Sequence, residues 1–241
     1  MAGYIDLHLH YVPGVDDGVR SIEEGVALCR ALKALGYAHL VTTPHIRSGM
    51  FENSRAGLEQ SFAAFRAATA AEPDLPELSL SAEHHCDSTL LELLEQNQLL
   101  PYPGGRAVLI EFGYDSLPVA IAQVAFKLAL KQLRPVIAHP ERCAPLFRKT
   151  SPIDRLLDQE VGLQLDLMAL TGKYGRAPRA AAERMLEEGV YTVAGSDAHR
   201  PEDAVEVGKG IEKLYKLVGD EEALLLLADN PRRLLEGAPT R

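Results

Sequence analysis

Tryptophan is absent from this chain and cysteine is nearly so, with only Cys29, Cys86 and Cys143. Three scattered thiols, an odd number, exclude a disulfide framework and predict a reducing compartment. Long apolar runs are missing as well. The longest, residues 117–130, is interrupted by Gln123 and Lys127 and is too short to span a bilayer. The first residues, Met-Ala-Gly-Tyr-Ile-Asp, place no basic segment before an apolar one, so no secretory signal is read there and a cytoplasmic location is expected. Positive charge is the scarcer sign: 25 Lys and Arg face 34 Asp and Glu, a net charge of −9. With no basic cluster to neutralise a run of phosphates, a nucleic-acid-binding surface is excluded. Neither a Gly-X-Ser-X-Gly elbow nor a Gly-X-X-X-X-Gly-Lys-Ser/Thr loop occurs, which removes the serine hydrolases and the P-loop nucleotide enzymes.

What is present suits a globular α/β fold. Hydrophobic residues make up 46% of the chain and charged ones 24%, enough apolar material for a sizeable core. One large domain is expected over residues 1–241, since α/β barrels reach roughly 200–250 residues as a single unit. Aliphatic runs alternate with amphipathic Ala/Leu/Glu-rich segments throughout. They predict strands at 4–10, 39–44, 77–83, 107–112, 135–139, 162–167 and 190–195. Helices are predicted at 21–35, 53–71, 88–98, 117–132, 152–159, 177–189, 202–218 and 220–228. Ser21, ahead of Glu23 and Glu24, predicts the cap of the first helix and Gly36 its end; Asn230-Pro231 predicts the stop of the last regular one, with room for a short C-terminal turn after it. Seven strands, each followed by a helix, read as parallel βα units. An open doubly wound sheet and a closed barrel both satisfy that pattern.

The ionisable residues collect at strand ends. The opening stretch DLHLHYVPGVDDG puts Asp6, His8 and His10 on one side of a period-2 strand and Ile5, Leu7 and Leu9 on the other. Taken alone, a His-X-His strand is a solvated face. The rest of the chain changes that reading. His45 follows the second strand in VTTPH, Glu83 closes LSLSAE, Glu111 closes AVLIEF and His139 closes PVIAH. Asp197 and His199 follow the seventh strand in VAGSDAH. In parallel α/β folds these ends meet at one face, where active sites are built. With Asp17 from the first loop, nine candidate ligands converge and predict a metal site. Imidazoles and carboxylates without thiolate suit Mn, Fe or Zn. Nine ligands exceed one ion and fit two or three, with a carboxylate such as Glu83 bridging. Closely spaced ions share a water, lower its pKa and present hydroxide to a phosphorus or carbonyl centre. His39, at the far end of its strand, is read as structural, and His84 and His85 are left outside the site.

The motifs DLHLH, PGVDDG, TTPH, AE, IEF, AHPERC and GSDAH resemble the polymerase-and-histidinol-phosphatase (PHP) superfamily. Within it, PGVDDG, HPER, LTGKYG and NPRRLLEG are similar to the manganese-dependent bacterial protein-tyrosine phosphatases of capsular and exopolysaccharide synthesis. The matching motifs run from Asp6 to Gly237. The resemblance implies a distorted seven-stranded (β/α) barrel, TIM-like, forming one PHP-type metallophosphatase domain around a trinuclear Mn2+ centre. It implies that His8, His10, Glu83 and Asp197 surround one ion and that Glu83 bridges to a second, held by Glu111 and His139. Asp17, His45 and His199 then hold the third, with Asp16 behind them. Asp197 and His199 are implied catalytic residues, together with Arg142 of HPER, whose fork binds two phosphate oxygens at once. The partner implied is a phosphotyrosine protein, the tyrosine-rich tail of a bacterial tyrosine kinase.

One departure bears on the substrate. Relatives usually carry an Asn directly after the last motif and an Arg a few residues later. Here SDAHRPEDAVEVGKG puts Arg200 immediately after His199, with no arginine in the following loop. Arg200 is therefore expected to supply the second phosphate contact, or else substrate binding differs in this chain. The expected reaction is hydrolysis of a phosphomonoester by in-line attack of a metal-bridging hydroxide, with Arg142 offsetting charge on the equatorial oxygens. A phenolate leaving group, with a conjugate-acid pKa of about 10, needs less proton donation than an alkoxide. The competing readings are a histidinol-phosphate or other small-molecule phosphatase, a metal-dependent amidohydrolase, and a catalytically silent metal-binding module. Glu111 stands where amidohydrolases often carry a carboxylated lysine, and nine filled ligand positions argue against silence. The stretch HHCDSTLLE begins like the signature of thiol-based tyrosine phosphatases. Position 92 is Glu where that phosphate cradle needs Arg, so Cys86 is read as incidental.

Overall fold

The Ser21 hydroxyl accepts the Glu24 N–H at 3.3 Å, and Gly25, Leu28, Cys29 and Leu32 then recur at helical spacing and turn inward. This is the first helix of a computed structural model that describes residues 3–119, 121–157 and 161–240. The chain runs β1 (Tyr4–Leu9), α1 (Ile22–Ala34), β2 (Tyr37–Thr42), β3 (His45–Ile46) and α2 (Arg55–Ala68). It continues through β4 (Glu77–Leu80), β5 (Glu83–His85), α3 (Ser88–Glu95), β6 (Ala107–Glu111), α4 (Ile121–Leu130) and β7 (Arg134–Ala138). The last part holds α5 (Asp154–Leu157), β8 (Gly162–Asp166), α6 (Leu167–Thr171), α7 (Arg176–Glu187), β9 (Val193–Gly195), α8 (Asp203–Leu224) and α9 (Asn230–Leu235).

Every strand pair is parallel. One sheet has the order β1-β2-β4 and the other β3-β5-β6-β7-β8-β9. Among the described residues nine strands therefore take the place of the predicted seven. The second and third predicted strands are each split, at Thr43-Pro44 and at Ser81-Ala82, and the chain changes sheet at both breaks. Pro44 has no N–H to give to a ladder, which accounts for the first break. The two sheets remain stitched together. Thr43 N donates to Leu9 O (2.8 Å) and Ser81 N to Thr42 O (2.9 Å); at the other edge Asp197 N donates to His8 O (2.8 Å) and His10 N to Ala198 O (2.9 Å).

Helix positions follow the predictions with three differences. α6 was not foreseen, because LMALT continues the aliphatic run of β8; Asp166 starts it by accepting the Met168 N–H at 2.8 Å. The short C-terminal turn is the six-residue helix α9, which Asn230-Pro231 opens where a stop was expected. Residues 225–229 form a π-turn, and Pro231 sits in the first turn of α9, where its missing N–H has no partner to lose. The predicted helix at 152–159 is seen as α5 with a 3₁₀ turn before it, and positions 158–159 lie outside the described residues. Ala120, within the predicted 117–132 helix, also lies outside them. α8 breaks at Gly219 (φ 80°, ψ 175°), which separates the two helices expected there.

The apolar residues divide between the two faces of the strands. Leu40, Val108, Ile110, Ile137, Leu163 and Leu165 pack with the helices. Ile5, Leu7, Val41, Leu109, Val136 and Val193 form a second cluster with Tyr102 and Leu234. β1 loses register with β2 between Asp6 and Leu9, and Leu9 joins the helix-side cluster instead of following Ile5 and Leu7. The strict alternation expected for DLHLH is thus broken at the site. Among the described residues no helix is long and apolar enough to cross a membrane.

Candidate metal centre

Parallel pairing brings the nine sequence-predicted ligands to one end of the sheets. His8 lies on β1, with His10 just beyond it; His45 opens β3 directly beside Glu83, which opens β5. Glu111 ends β6, His139 follows β7, and Asp197 and His199 follow β9. His139 (φ 33°) and Asp197 (φ 49°) occupy the left-handed region, which costs of order 1–3 kcal/mol, persists only where the surroundings over-determine it and gathers at functional sites.

Glu83 is the hub. Its Oε2 lies 2.9 Å from His45 Nδ1 and 3.1 Å from His8 Nε2, and its Oε1 lies 3.2 Å from His139 Nε2. Asp197 Oδ1 is 3.2 Å from His8 Nε2 and 3.4 Å from His10 Nε2, while Asp17 Oδ1 is 3.4 Å from both His45 Nε2 and His199 Nε2. Donor atoms crowd within 4.8 Å of one another in four overlapping sets: His8/His10/Asp197, His8/Glu83/His139, His45/Glu83/Glu111 and His10/His45/His199. Glu83 and three of the imidazoles each belong to two sets, so the cluster cuts across the three-way division that the resemblance implied.

The donor chemistry fits bound cations. Among the described residues, His8 Nε2, His10 Nε2 and Glu83 Oε2 are fully buried yet make no hydrogen bond of proper geometry, although each faces the others. Buried polar atoms left unpaired cost about 1–3 kcal/mol apiece, so three lone-pair donors converging on one space are explained by an ion that takes them as ligands. The opposite ring nitrogens are fixed from behind. His8 Nδ1 donates to Gln164 Oε1 (3.0 Å), His10 Nδ1 to Asp16 Oδ2 (2.7 Å), and His199 Nδ1 to the Asp197 carbonyl (2.9 Å). Each bond sets a tautomer that aims Nε2 at the centre.

Without an ion, the cluster balances its charge by holding protons. Burial opposes charge on His8, but Glu83 and Asp197 push it up to about 9; His199, also opposed by burial, reaches about 9 through Asp17 and Asp197. Burial likewise works to raise Glu83 and Asp197, yet the neighbouring histidines hold both carboxyls well below the usual range. Since both histidine values lie above the unfolded value of about 6.5, this pairing stabilises the ion-free fold below that pH and is lost as pH climbs through about 9. Metal ligation needs neutral imidazoles. Loading divalent ions at pH 7 is therefore expected to release protons, read with an indicator dye in weak buffer; loading without release contradicts the assignment.

Two of the supporting residues, Gln164 and Asp203, carry no signal in the sequence. Gln164 sits mid-strand in β8 and reaches His8 because Gly195 stands opposite: a Cβ there would lie 1.9 Å from Gln164 Nε2. Gln164→Ala is expected to weaken metal affinity roughly 10- to 100-fold with the fold intact, as measured by chelator competition; unchanged affinity removes its role. Asp6 Oδ1 accepts the N–H groups of His8 and Ser196, both at 3.1 Å. Asp203 Oδ2 accepts those of His199 (2.9 Å) and Arg200 (3.0 Å). His39 bonds Ser79 Oγ at 2.8 Å, outside the cluster. His84 is buried between Leu109 O and Leu100 N and stays neutral, with burial lowering it to about 4. His85 Nδ1 donates to Glu111 Oε2 at 3.2 Å, and so touches the site from behind. Burial pushes the Cys86 thiol up to about 12, which leaves no thiolate for catalysis.

The two arginines diverge. Arg142 Nη1 pairs with Asp197 Oδ2 (2.5 Å) and Asp166 Oδ2 (3.4 Å), its Nη2 donates to Tyr114 Oη (2.5 Å), and its Cζ lies 4.3 Å from the Tyr174 ring centre. Glu141, the residue beside it, does not pair with it: it accepts Asp166 N (2.8 Å) and Tyr191 Oη (2.9 Å) from a fully buried position. Arg200 does not line the cavity among the described residues. Its Nη1 donates to the carbonyls of Asp17 (2.9 Å), Gly18 and His199 (2.8 Å), so it clasps the first and last ligand loops together.

A cavity of about 110 Å³ opens over this cluster, lined by Asp17, His45, Glu111, His139, Asp197 and His199, with Arg47, Tyr114 and Arg142 at its walls. A family model described as capsular polysaccharide synthesis, CpsB/CapC, matches residues 4–236. The chain belongs to the CpsB/CapC family. This CpsB/CapC chain is 29% identical over 202 residues to the tyrosine-protein phosphatase YwqE of Bacillus subtilis, covering 81% of this chain and 77% of that protein. It is also 29% identical over 240 residues to the tyrosine-protein phosphatase CpsB of Streptococcus pneumoniae, covering 96% and 98%. A solved structure from work on YwqE and CpsB, described there as metal-dependent tyrosine phosphatases, matches with a TM-score of 0.89 at 26% identity, covering 97% of this chain and 95% of that one. The CpsB/CapC assignment thus spans the strands, the helices and every strand end that contributes to the cluster.

Proposed function

We propose that this chain is a metal-dependent protein-tyrosine phosphatase of polysaccharide synthesis, acting on the phosphotyrosine tail of a bacterial tyrosine kinase. The observation that carries the reading is the shape of the site. The donor-lined cavity of about 110 Å³ has the volume of roughly three to four waters, room for a phosphoryl group but not for an aromatic ring as well. It shares Tyr114 and Arg142 with an adjoining groove of about 520 Å³ lined by Phe147, Tyr174 and Pro178. A phosphotyrosyl side chain matches that sequence of spaces, phosphate inward and ring against aromatic walls, where ring pairs add about 0.5–1.5 kcal/mol. Tyr114 is 46% exposed, so the rim is open to a polypeptide, whereas a small polar substrate would favour a closed, deep pocket.

His8, His10, His45, Glu83, Glu111, His139, Asp197 and His199 would hold the ions, joined by Asp17 through its approach to His45 and His199, with Mn2+ the metal favoured by the N/O donor set and the family. When bound, such ions supply Lewis-acid stabilisation of phosphoryl charge and a water acidic enough to attack phosphorus near neutral pH. The protein's own part is placement. Gln164 and Asp16 orient His8 and His10, the left-handed backbone at His139 and Asp197 turns their side chains over the strand ends, and Arg142 offers a guanidinium edge at the junction of cavity and groove. The seam bonds from β1 to the loop after β9, and from Thr43 and Ser81 to the strands before them, support one distorted barrel of seven strand paths. A single domain over 1–241 follows from that reading.

The test is phosphate release by metal-loaded protein from a phosphotyrosine peptide and from histidinol phosphate, side by side with a chelated control. Chelator-sensitive preference for the peptide is expected. Preference for histidinol phosphate would move the chain to the small-molecule branch, and release from neither would leave a silent metal-binding module.

A further inference from the structure

Two arginines line the donor cavity, and they are in opposite electrostatic states. Arg142 is already matched by Asp197 and Asp166, so much of its charge is neutralised before substrate arrives. Arg47 lines the same cavity, half-buried, and among the described residues its guanidinium makes no hydrogen bond or ion pair. It shares the cavity wall with Asp17, Glu111 and Asp197 and bonds to none of them. Arg200 cannot serve through its Nη1, which three carbonyls share.

The backbone that carries Arg47 is rigidly placed. Arg47 N donates to Phe51 O (3.0 Å) and Phe51 N to Arg47 O (2.8 Å), closing a tight turn after β3. The Phe51 ring stacks on His45, centres 5.2 Å apart and planes 13° from parallel. Asn53 Nδ2 adds bonds to Val15 O (2.7 Å) and His45 O (2.8 Å). The turn is therefore tied to a candidate ligand, while the guanidinium at its edge pairs with no group among the described residues. Because β5 and β6 separate β3 from β7 in the sheet, Arg47 and Arg142 enter the cavity from different walls.

We propose that Arg47 is the second substrate-phosphate contact of this enzyme, in the place that Arg200 was expected to fill. Its fork meets non-bridging phosphoryl oxygens on the side away from Arg142. This rests on the phosphatase reading above. The test measures inorganic phosphate binding to metal-loaded wild type, Arg47→Ala and Arg47→Lys by calorimetry, with metal content and hydrolysis of p-nitrophenyl phosphate and a phosphotyrosine peptide alongside. Arg47→Ala is expected to weaken phosphate binding roughly 10- to 100-fold at unchanged metal content, with parallel losses of kcat/KM on both substrates and part of each recovered by Arg47→Lys. Phosphate binding equal to wild type overturns the proposal. So does a loss confined to the peptide, which would make Arg47 a reader of acidic flanking residues, and so does loss of metal, which would make it structural. Arg47-dependent phosphate binding by a wild type that hydrolyses no phosphotyrosine peptide would keep this assignment and reject the tyrosine-phosphatase reading.

Discussion

Glu83→Gln is expected to lower phosphotyrosine hydrolysis by roughly 10³-fold or more, the loss that follows when several kcal/mol of metal-supplied stabilisation is removed. The exchange preserves volume and one carbonyl oxygen, so the packing around β5 is retained. What disappears is the negative charge that His8, His45 and His139 approach within 3.2 Å. Glu83 also belongs to two of the four overlapping donor sets, so its loss weakens more than one ion position at once. Metal analysis of the purified variant should show fewer ions per chain, with circular dichroism unchanged. A variant that keeps both its metal and its turnover would remove Glu83 from the hub.

Arg142→Ala should cost about 10²–10³-fold in kcat, the scale for deleting one positioned donor to developing charge, while metal content holds. Two features set the size of the effect. Burial works against its charge, yet Asp197 and Asp166 raise Arg142 well above the ordinary guanidinium value, so it stays protonated at any working pH. Its Cζ also lies over the Tyr174 ring, 4.3 Å from the ring centre, and its Nη2 bonds to Tyr114, which limits the rotamers it must surrender on binding. Arg142→Lys should recover little, because an ammonium does not reproduce the fork of donors. Steady-state kinetics that show only a raised KM for Arg142→Ala would mean that it binds the substrate's ground state alone. Loss of metal would mean that it acts by holding Asp197 in place.

The grouping of the candidate ligands could be read before any geometry was known, because a parallel fold turns strand ends into neighbours. TTPH, IEF, AHPERC and GSDAH each place a donor at such an end, and the structure gathers all of them with His8, His10, Asp17 and Glu83. The parts that escaped are those that depend on contacts distant in sequence. Gln164 looks like an ordinary polar residue in a buried strand until Gly195 is placed opposite it. The broken register of β1 and the sheet changes at Pro44 and Ala82 are pairing decisions that periodicity does not encode. Arg200 stands beside His199 in the sequence, which makes it the expected phosphate contact, whereas three carbonyl acceptors from two loops hold its Nη1. Arg47 carries no signal in the sequence, since an arginine that pairs with nothing among the described residues stands out only once its surroundings are known.

The central claim is that the cluster around Glu83 is a multi-ion centre on which phosphate release depends. Its most direct test is a Mn2+ titration into fully chelated protein, with bound metal followed by equilibrium dialysis and phosphate release from a phosphotyrosine peptide followed on the same samples. Turnover should be absent without metal, rise with occupancy and level off only when more than one ion is bound per chain. Full turnover in the chelated protein, or a plateau with no metal retained, would contradict the account.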